Sequence, residues 1–235
     1  MKRFFFGLKF ENIQEALFEL EAFKRELSKG YLAEIFPISH QHQEVLRHFL
    51  GDEVSSEDIQ KRINEVIDLV FSKRIQVKDA LGLSDQSMET FYFLAYQMYE
   101  QKKYHVAQRL FKILMVLDNL SSKYCFGFAA CAHHLKDYST ALSYYLNSSI
   151  LNEDQMDPYP HFQAADCCYH LDDIAGAITA LGVAQERCKL DDEQHQHLKR
   201  KASVLIDIFS KELLKNLDSE DKENSLKESL ESAKV

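Results

Sequence analysis

The chain has 235 residues, of which only seven are Gly and three are Pro, and its formal net charge is −9. So few turn-forming residues disfavour sandwiches, barrels and Rossmann sheets, and they favour long helices joined by short connections. The sequence has no G-x-G-x-x-G, Walker or G-x-S-x-G motif, and its acidic charge argues against nucleic acid as a partner.

The first segment, residues 1–54, is predicted to be a helical extension. Within it, apolar residues recur at helical spacing between positions 11 and 29, and Gly30 is the expected stop. Residues 55–87 are predicted to form a further amphipathic helix and a linker, in which Gly82 allows a turn. The opening Lys2-Arg3-Phe4-Phe5-Phe6 is not followed by a hydrophobic segment, because Lys9 and Glu11 interrupt it, so we expect no signal peptide.

Residues 88–188 contain three copies of one helical-hairpin repeat. Ala107 and Ala141 occupy equivalent positions 34 residues apart, which is the period of the tetratricopeptide repeat, and Ala177 follows 36 residues later. The two extra residues are expected between Asn152 and Asp157. Apolar and small residues fall on the inner faces of the six predicted helices, so the fold is predicted to be an all-α solenoid of tetratricopeptide repeats.

The last two segments are predicted to be a capping helix over residues 189–217 and an acidic, disordered tail over residues 218–235. The capping helix carries one apolar stripe that would cover the final repeat, made of Leu198, Ala202, Leu205, Ile206, Phe209, Leu213 and Leu217. Beyond it, charged residues and Ser dominate, which is typical of a chain that cannot bury an apolar face.

The first helix of each repeat has a second stripe, offset from the core, that would line a concave groove. In the first repeat this stripe is aromatic, and a protein seldom exposes such a stripe without a partner. An extended peptide is therefore the predicted ligand, because Tyr offers a large apolar face at low entropic cost. The predicted peptide-binding residues are Tyr92, Tyr96, Tyr99, Tyr104, Phe126, Ala130, His133, Phe162, Asp166 and Tyr169. The alternative is that these aromatic residues pack against an N-terminal helix or against the capping helix.

No catalytic residues, metal site or cofactor are predicted. The ten histidines include no H-E-x-x-H motif, and the Cys and His residues lack zinc-finger spacing. The five cysteines include no C-x-x-C pair, so we expect reduced, buried thiols in an intracellular protein. No apolar run approaches the roughly 20 residues that span a bilayer, so no membrane partner is expected.

Three stretches resemble the class II type III secretion chaperones, the cytosolic bacterial chaperones of translocator proteins. They are residues 79–99, from Asp79-Ala80-Leu81-Gly82 to Gln97-Met98-Tyr99, residues 111–118, and residues 157–168, which read DPYPHFQAADCC. The resemblance covers about residues 60–188. The N-terminal extension and the tail have no counterpart in the usual, shorter family members.

The resemblance implies a chaperone that keeps two membrane-inserting translocators soluble, apart and competent for export. It implies that a client segment with spaced Pro and Leu anchors lies in the groove, that the family's aromatic positions match Tyr92, Tyr96, Tyr99, Tyr104 and Phe126, and that a homodimer is possible. The alternative function is a non-enzymatic scaffold or regulator that binds a folded protein, with the N-terminal helices as its docking surface.

Overall fold

The computed structural model describes residues 75–152, 157–189 and 192–232, together with a few isolated residues before them. Side chains are described as far as Leu217. These ranges contain eight helices and no strand, so the predicted all-α fold is confirmed. The helices are α1 (Val77–Ala80), α2 (Asp85–Glu100), α3 (Tyr104–Leu117), α4 (Ser122–His134), α5 (Tyr138–Leu151), α6 (Tyr159–His170), α7 (Ile174–Glu186) and α8 (Glu193–Ser232). The predicted N-terminal helices, including residues 1–54, lie outside the described residues.

The chain divides into two compact units, with the boundary between Leu135 and Lys136. The described part of the first unit contains α1 to α4, and the second unit contains α5 to α8. The first helix of the predicted second repeat therefore lies in one unit and its second helix in the other.

In the first unit, α3 packs against both α2 and α4. The predicted inner residues are buried, and the small ones, Ala95, Ala107, Ala129 and Ala132, have no exposed surface. Alanine at these positions lets the helices approach closely, because a larger side chain would force them apart.

The start of the repeats follows the predicted turn chemistry. Gly82 adopts a positive φ of 66°, a conformation that costs glycine little because it has no Cβ. Ser84 then caps α2, and its side-chain oxygen accepts a hydrogen bond from the Ser87 amide at 3.2 Å. The linker also contains the single-turn helix α1, which the sequence pattern did not predict.

The repeat period is visible in the backbone as well as in the sequence. Among the residues that the structure describes, three other than glycine have positive φ angles, and each follows the first helix of a repeat: Lys102 at 60°, Lys136 at 64° and Asp172 at 60°. They are separated by 34 and 36 residues, as are the three equivalent alanines. In each repeat, the second residue after the end of the first helix therefore has the left-handed conformation.

In the second unit, the core joins α6, α7 and α8 around Ala165, Leu181, Ala202 and Phe209. Leu198, Ala202 and Phe209 are buried, and Leu205 and Ile206 are half-buried against the same cluster. These positions match the predicted capping stripe. Leu217 differs, because 49% of its surface is exposed and the stripe has ended before it.

Helix α8 continues to Ser232, through the segment predicted to be a disordered tail. The tail has no Gly or Pro after Leu217, and its many Glu, Lys and Leu residues have high helix propensity. Charge and low hydrophobicity prevent this segment from forming a core, but they do not prevent an existing helix from propagating, because each added residue gains a backbone hydrogen bond.

Candidate functional site

Four tyrosines of the first unit form a continuous row of rings. Tyr92, Tyr96 and Tyr99 lie on one face of α2, with neighbouring ring centroids 6.5 and 6.4 Å apart and ring planes inclined by 25° and 27°. Tyr104, the first residue of α3, meets Tyr99 edge-on at 5.6 Å. We call these four residues together with His134 the aromatic row.

Buried aromatic residues pack against one member of the aromatic row, and another member is exposed to solvent. Tyr92 contacts the rings of Phe111 at 6.0 Å and Tyr124 at 5.9 Å, both of which are buried. Tyr96, by contrast, exposes 44% of its surface. Hydrogen bonding to Glu100 raises the pKa of Tyr96 above its ordinary value. The row therefore presents a fixed aromatic surface with Tyr96 at its centre.

His134, the last residue of α4, closes one end of the row. Its ring stacks on Tyr104 with centroids 4.4 Å apart and planes only 5° from parallel, and its Nε2 lies 2.8 Å from the Tyr99 hydroxyl. Burial, together with the nearby charges of His133 and Lys102, lowers the pKa of His134. The sequence pattern pointed instead to His133, which is half-buried and whose ring lies 6.4 Å from that of His134.

Lys123 covers the other end of the row. Its Nζ lies 4.8 Å from the Tyr92 ring centroid and 5.3 Å from that of Tyr124, within the range of a cation–π contact. Lys123 also forms an ion pair with Glu89. Burial is the main cause of the raised pKa of Tyr124. The sequence pattern missed Lys123 and Tyr124, although Lys123 follows Glu89 by 34 residues, one repeat period.

The predicted positions on α4 are less prominent than those on α2. Phe126 and Ala130 are half-buried, and both belong to the first unit with the aromatic row. Ala130 offers a small surface rather than a ring, so tyrosines dominate the exposed stripe of this unit.

The predicted peptide-binding residues of the third repeat have other neighbours than those of the first repeat. Tyr169 stacks on Phe209 of α8, with centroids 4.6 Å apart and planes 9° from parallel. Phe162 is half-buried against the same apolar cluster, with Lys201 Nζ 5.8 Å from its ring. Both aromatic residues thus contact the capping helix, the alternative that the sequence left open. Asp166 is exposed and lies 3.7 Å from His170.

A Ser–His contact in the second unit combines the residue types of a catalytic nucleophile and its general base, but its role is structural. The Ser149 hydroxyl lies 2.8 Å from His161 Nε2 and accepts a hydrogen bond from Arg187 Nη1 at 2.7 Å. Burial and the Arg187 charge lower the pKa of His161, which favours the neutral ring. Only 4% of Ser149 is exposed, so this cluster joins α5 and α6 to the end of α7 and presents no accessible nucleophile.

Two further properties concern metals and membranes. Within the described ranges, no three His, Cys, Asp or Glu residues are grouped so that they could hold a metal ion. None of the helices described here combines the length and the apolar character needed to cross a bilayer.

Comparison with known proteins gives matches that agree with one another. The chain is 29% identical to low calcium response locus protein H of Yersinia pestis over 127 residues, which are 54% of this chain and 74% of that protein. No protein-family model matches the chain.

Two solved structures are similar in fold. One is PcrH of Pseudomonas aeruginosa, solved in complex with the chaperone binding region of PopD. Its TM-score is 0.52 and its sequence identity 27%, and the match covers 56% of this chain and 96% of PcrH. The other is the Yersinia enterocolitica type III secretion chaperone SycD, solved in complex with a peptide of the translocator YopD. Its TM-score is 0.51 and its sequence identity 27%, and the match covers 55% of this chain and 96% of SycD.

Proposed function

Because the chain resembles the class II type III secretion chaperones, we propose that it is a chaperone of type III secretion translocators. It binds an extended segment of its client on the aromatic row and keeps that client soluble until export. The relatives support a peptide ligand: PcrH is bound to a region of PopD, and SycD to a peptide of the translocator YopD.

The observation that carries this proposal is the spacing of the rings. An extended peptide rises about 3.3 Å per residue, and its alternate side chains point to the same side. Side chains two residues apart are therefore about 6.6 Å apart, which matches the 6.5 and 6.4 Å between the rings of Tyr92, Tyr96 and Tyr99. A segment with apolar anchors at every second position would place one anchor against each ring.

The expected affinity follows from the apolar area covered. Each anchor that leaves water contributes roughly 1.5–3 kcal/mol. Three anchors contribute about 4.5–9 kcal/mol before the opposing cost of ordering the peptide, so the dissociation constant is expected to be micromolar or weaker. Such an affinity would protect a client and still permit its release.

The remaining features of the proposal follow from the same resemblance. The protein acts in the bacterial cytosol, without a cofactor and without catalysing a reaction. SycD has been seen in an alternative dimer, which supports a homodimer as an assembly to test for this chain. Phe126, Ala130 and His133 belong to the proposed peptide surface of the first unit. We propose Phe162, Asp166 and Tyr169 as an additional contact surface in the second unit.

The direct test has two parts. The protein is co-expressed with a hydrophobic translocator, and the soluble fraction of the translocator is measured. An array of fluorescein-labelled 15-residue peptides with Pro and Leu anchors two to four residues apart is then screened by fluorescence anisotropy. A translocator that stays insoluble, together with no binding peptide in the array, would refute the proposal.

A pair of variants assigns the binding surface. Tyr96→Ala is expected to weaken the tightest peptide by roughly ten- to a hundredfold, the equivalent of one lost anchor. Tyr144→Ala, which removes a half-buried tyrosine of α5, is the matched control and is expected to bind normally. If Tyr96→Ala also binds normally while the translocator remains soluble, the client is held on a surface other than the aromatic row.

A further inference from the structure

A stacked His–Tyr pair occurs at the same place in both units. His134, the last residue of α4, stacks on Tyr104, the first residue of α3, at 4.4 Å. His170, the last residue of α6, stacks on Tyr138, the first residue of α5, at 4.2 Å and 11°. The pair therefore belongs to the repeat, since it joins the start of one hairpin's second helix to the end of the next helix.

The two histidines differ in what else they contact. His134 Nε2 lies 2.8 Å from the Tyr99 hydroxyl, so His134 touches two tyrosines of the aromatic row. His170 lies instead 3.7 Å from the Asp166 carboxylate, one turn earlier on its own helix. The second pair thus offers an internal comparison, with the same stack but without the bond to a row tyrosine.

The direction of the hydrogen bond between Tyr99 and His134 depends on the protonation state of His134. A neutral imidazole with its proton on Nδ1 accepts a hydrogen bond from the Tyr99 hydroxyl, whereas an imidazolium can only donate. The titratable and charged groups facing the ring are Tyr99 of α2, Lys102 of the following turn, Tyr104 of α3 and His133 of α4. Among the described residues, no carboxylate acts on the pKa of this ring, and Lys102 and a protonated His133 would both repel a second positive charge.

Ligand binding would strengthen this preference for the neutral ring. His134 retains exposed surface in the free protein. A peptide laid across Tyr99 and Tyr104 would remove water from the imidazole, and desolvation disfavours the charged form. A protonated His134 would then have to lose its proton for the ligand to bind.

We propose that His134 is a positioning residue of the aromatic row, and that an extended segment binds the row with His134 neutral, so that affinity falls on acidification. This inference rests on the proposed function, because it concerns the regulation of the same site. By linkage, a ligand that lowers the pKa of His134 by one unit binds up to about tenfold more weakly at low pH.

The test measures peptide anisotropy between pH 5.0 and 8.0. The wild type is expected to weaken by up to about tenfold as pH falls from 7.5 to 5.0. His134→Gln keeps an acceptor for the Tyr99 hydroxyl but loses the ring stack on Tyr104, so it is expected to bind more weakly than the wild type at pH 7.5 and to lose the dependence of affinity on pH between 5.0 and 8.0. His134→Ala is expected to bind more weakly at all pH values, and the control His170→Gln to keep the wild-type profile. Helical circular dichroism checks the fold of each variant.

A second measurement needs no peptide. NMR of the ¹³C-labelled histidines and tyrosines is expected to show the Tyr99 ring signals shifting with the titration of His134, and no such coupled shift for Tyr99 in His134→Gln. A Tyr99 signal that ignores this titration would overturn the positioning role whatever peptide is used. A wild-type pH profile in His134→Gln, or unchanged binding in His134→Ala, would likewise overturn the inference. Failure of the wild type to bind any peptide while the Tyr99 signals still titrate would count against the proposed function instead.

Discussion

The ring of Tyr169 lies flat on that of Phe209, with centroids 4.6 Å apart and planes 9° from parallel. Tyr169 and Tyr99 occupy corresponding places in their helices, 70 residues apart, which is the sum of the two repeat intervals. At this place the structure therefore uses an aromatic residue to contact a following helix, His134 of α4 in one unit and Phe209 of α8 in the other.

We predict that Tyr169→Ala lowers the free energy of unfolding by about 1–2 kcal/mol and leaves peptide binding to the aromatic row unchanged. Chemical denaturation measures the first quantity and anisotropy the second. A double-mutant cycle with Phe209→Ala should give a coupling of about 0.5–1.5 kcal/mol. Additive single effects would mean that the stack contributes no specific energy.

Gly127 of α4 lies directly against the ring of the buried Phe111. A methyl group at this position would overlap the ring, so Gly127→Ala is expected to destabilise the protein by about 1–3 kcal/mol despite the better helix propensity of Ala. Thermal unfolding provides the measurement. Gly182→Ala in α7 is the matched control, because nothing lies within 4 Å of the added Cβ. It should stabilise the protein by about 0.5–1 kcal/mol.

Glycine at a position with positive φ is expected to make the protein more stable. Lys136 has a φ of 64°, which a side chain with a Cβ adopts only at a cost. We expect Lys136→Gly to raise the free energy of unfolding by about 0.5–1 kcal/mol. Lys211→Gly, an exposed position within α8, should instead lower it by about 1 kcal/mol. Equal effects of the two substitutions in urea denaturation would contradict this assignment.

All five cysteines are buried free thiols. Burial raises the pKa of Cys125 and of Cys131 to about 12, from an ordinary value of 9.0. The native protein should therefore react only slowly with Ellman's reagent at pH 8, and the urea-unfolded protein rapidly at all five positions. A rapid reaction in native buffer would show that the thiols are accessible.

The same thiols impose an alkaline limit on stability. Their folded-state pKa values lie above the unfolded value, so the unfolded state loses protons first as pH rises above about 9. The stabilising contribution is complete below that pH and is lost progressively toward pH 12. Urea midpoints measured at pH 8 and pH 10.5 should show the decrease, and Cys125→Ala should reduce it.

Periodicity predicted the helices well because residues of the same type recur at equivalent positions in each repeat. The alanines at the helix crossings, the Ser84 cap and the Gly82 turn are local requirements that a sequence displays directly. The tyrosine row followed from the same register, since positions four and three residues apart share a helix face.

Other features depend on which residues meet across helices. The contacts of His134 with Tyr99 and Tyr104, and the approach of Lys123 to Tyr92, are set by the packing of α4 on the preceding helices. Likewise, the pairing of Tyr169 with Phe209 joins residues 40 apart, and helical spacing within α6 carries no information about it. The length of α8 was underestimated because a polar composition was interpreted as disorder rather than as an exposed helix.

The aromatic row also makes the protein its own optical reporter. The chain contains eleven Tyr and no Trp, so its near-ultraviolet fluorescence arises from tyrosine alone, and four of those tyrosines lie within the row. A bound segment that covers Tyr96 would change the emission and its quenching by neighbouring rings. Occupancy by an unlabelled, Trp-free client can therefore be followed in the native protein without introducing a dye.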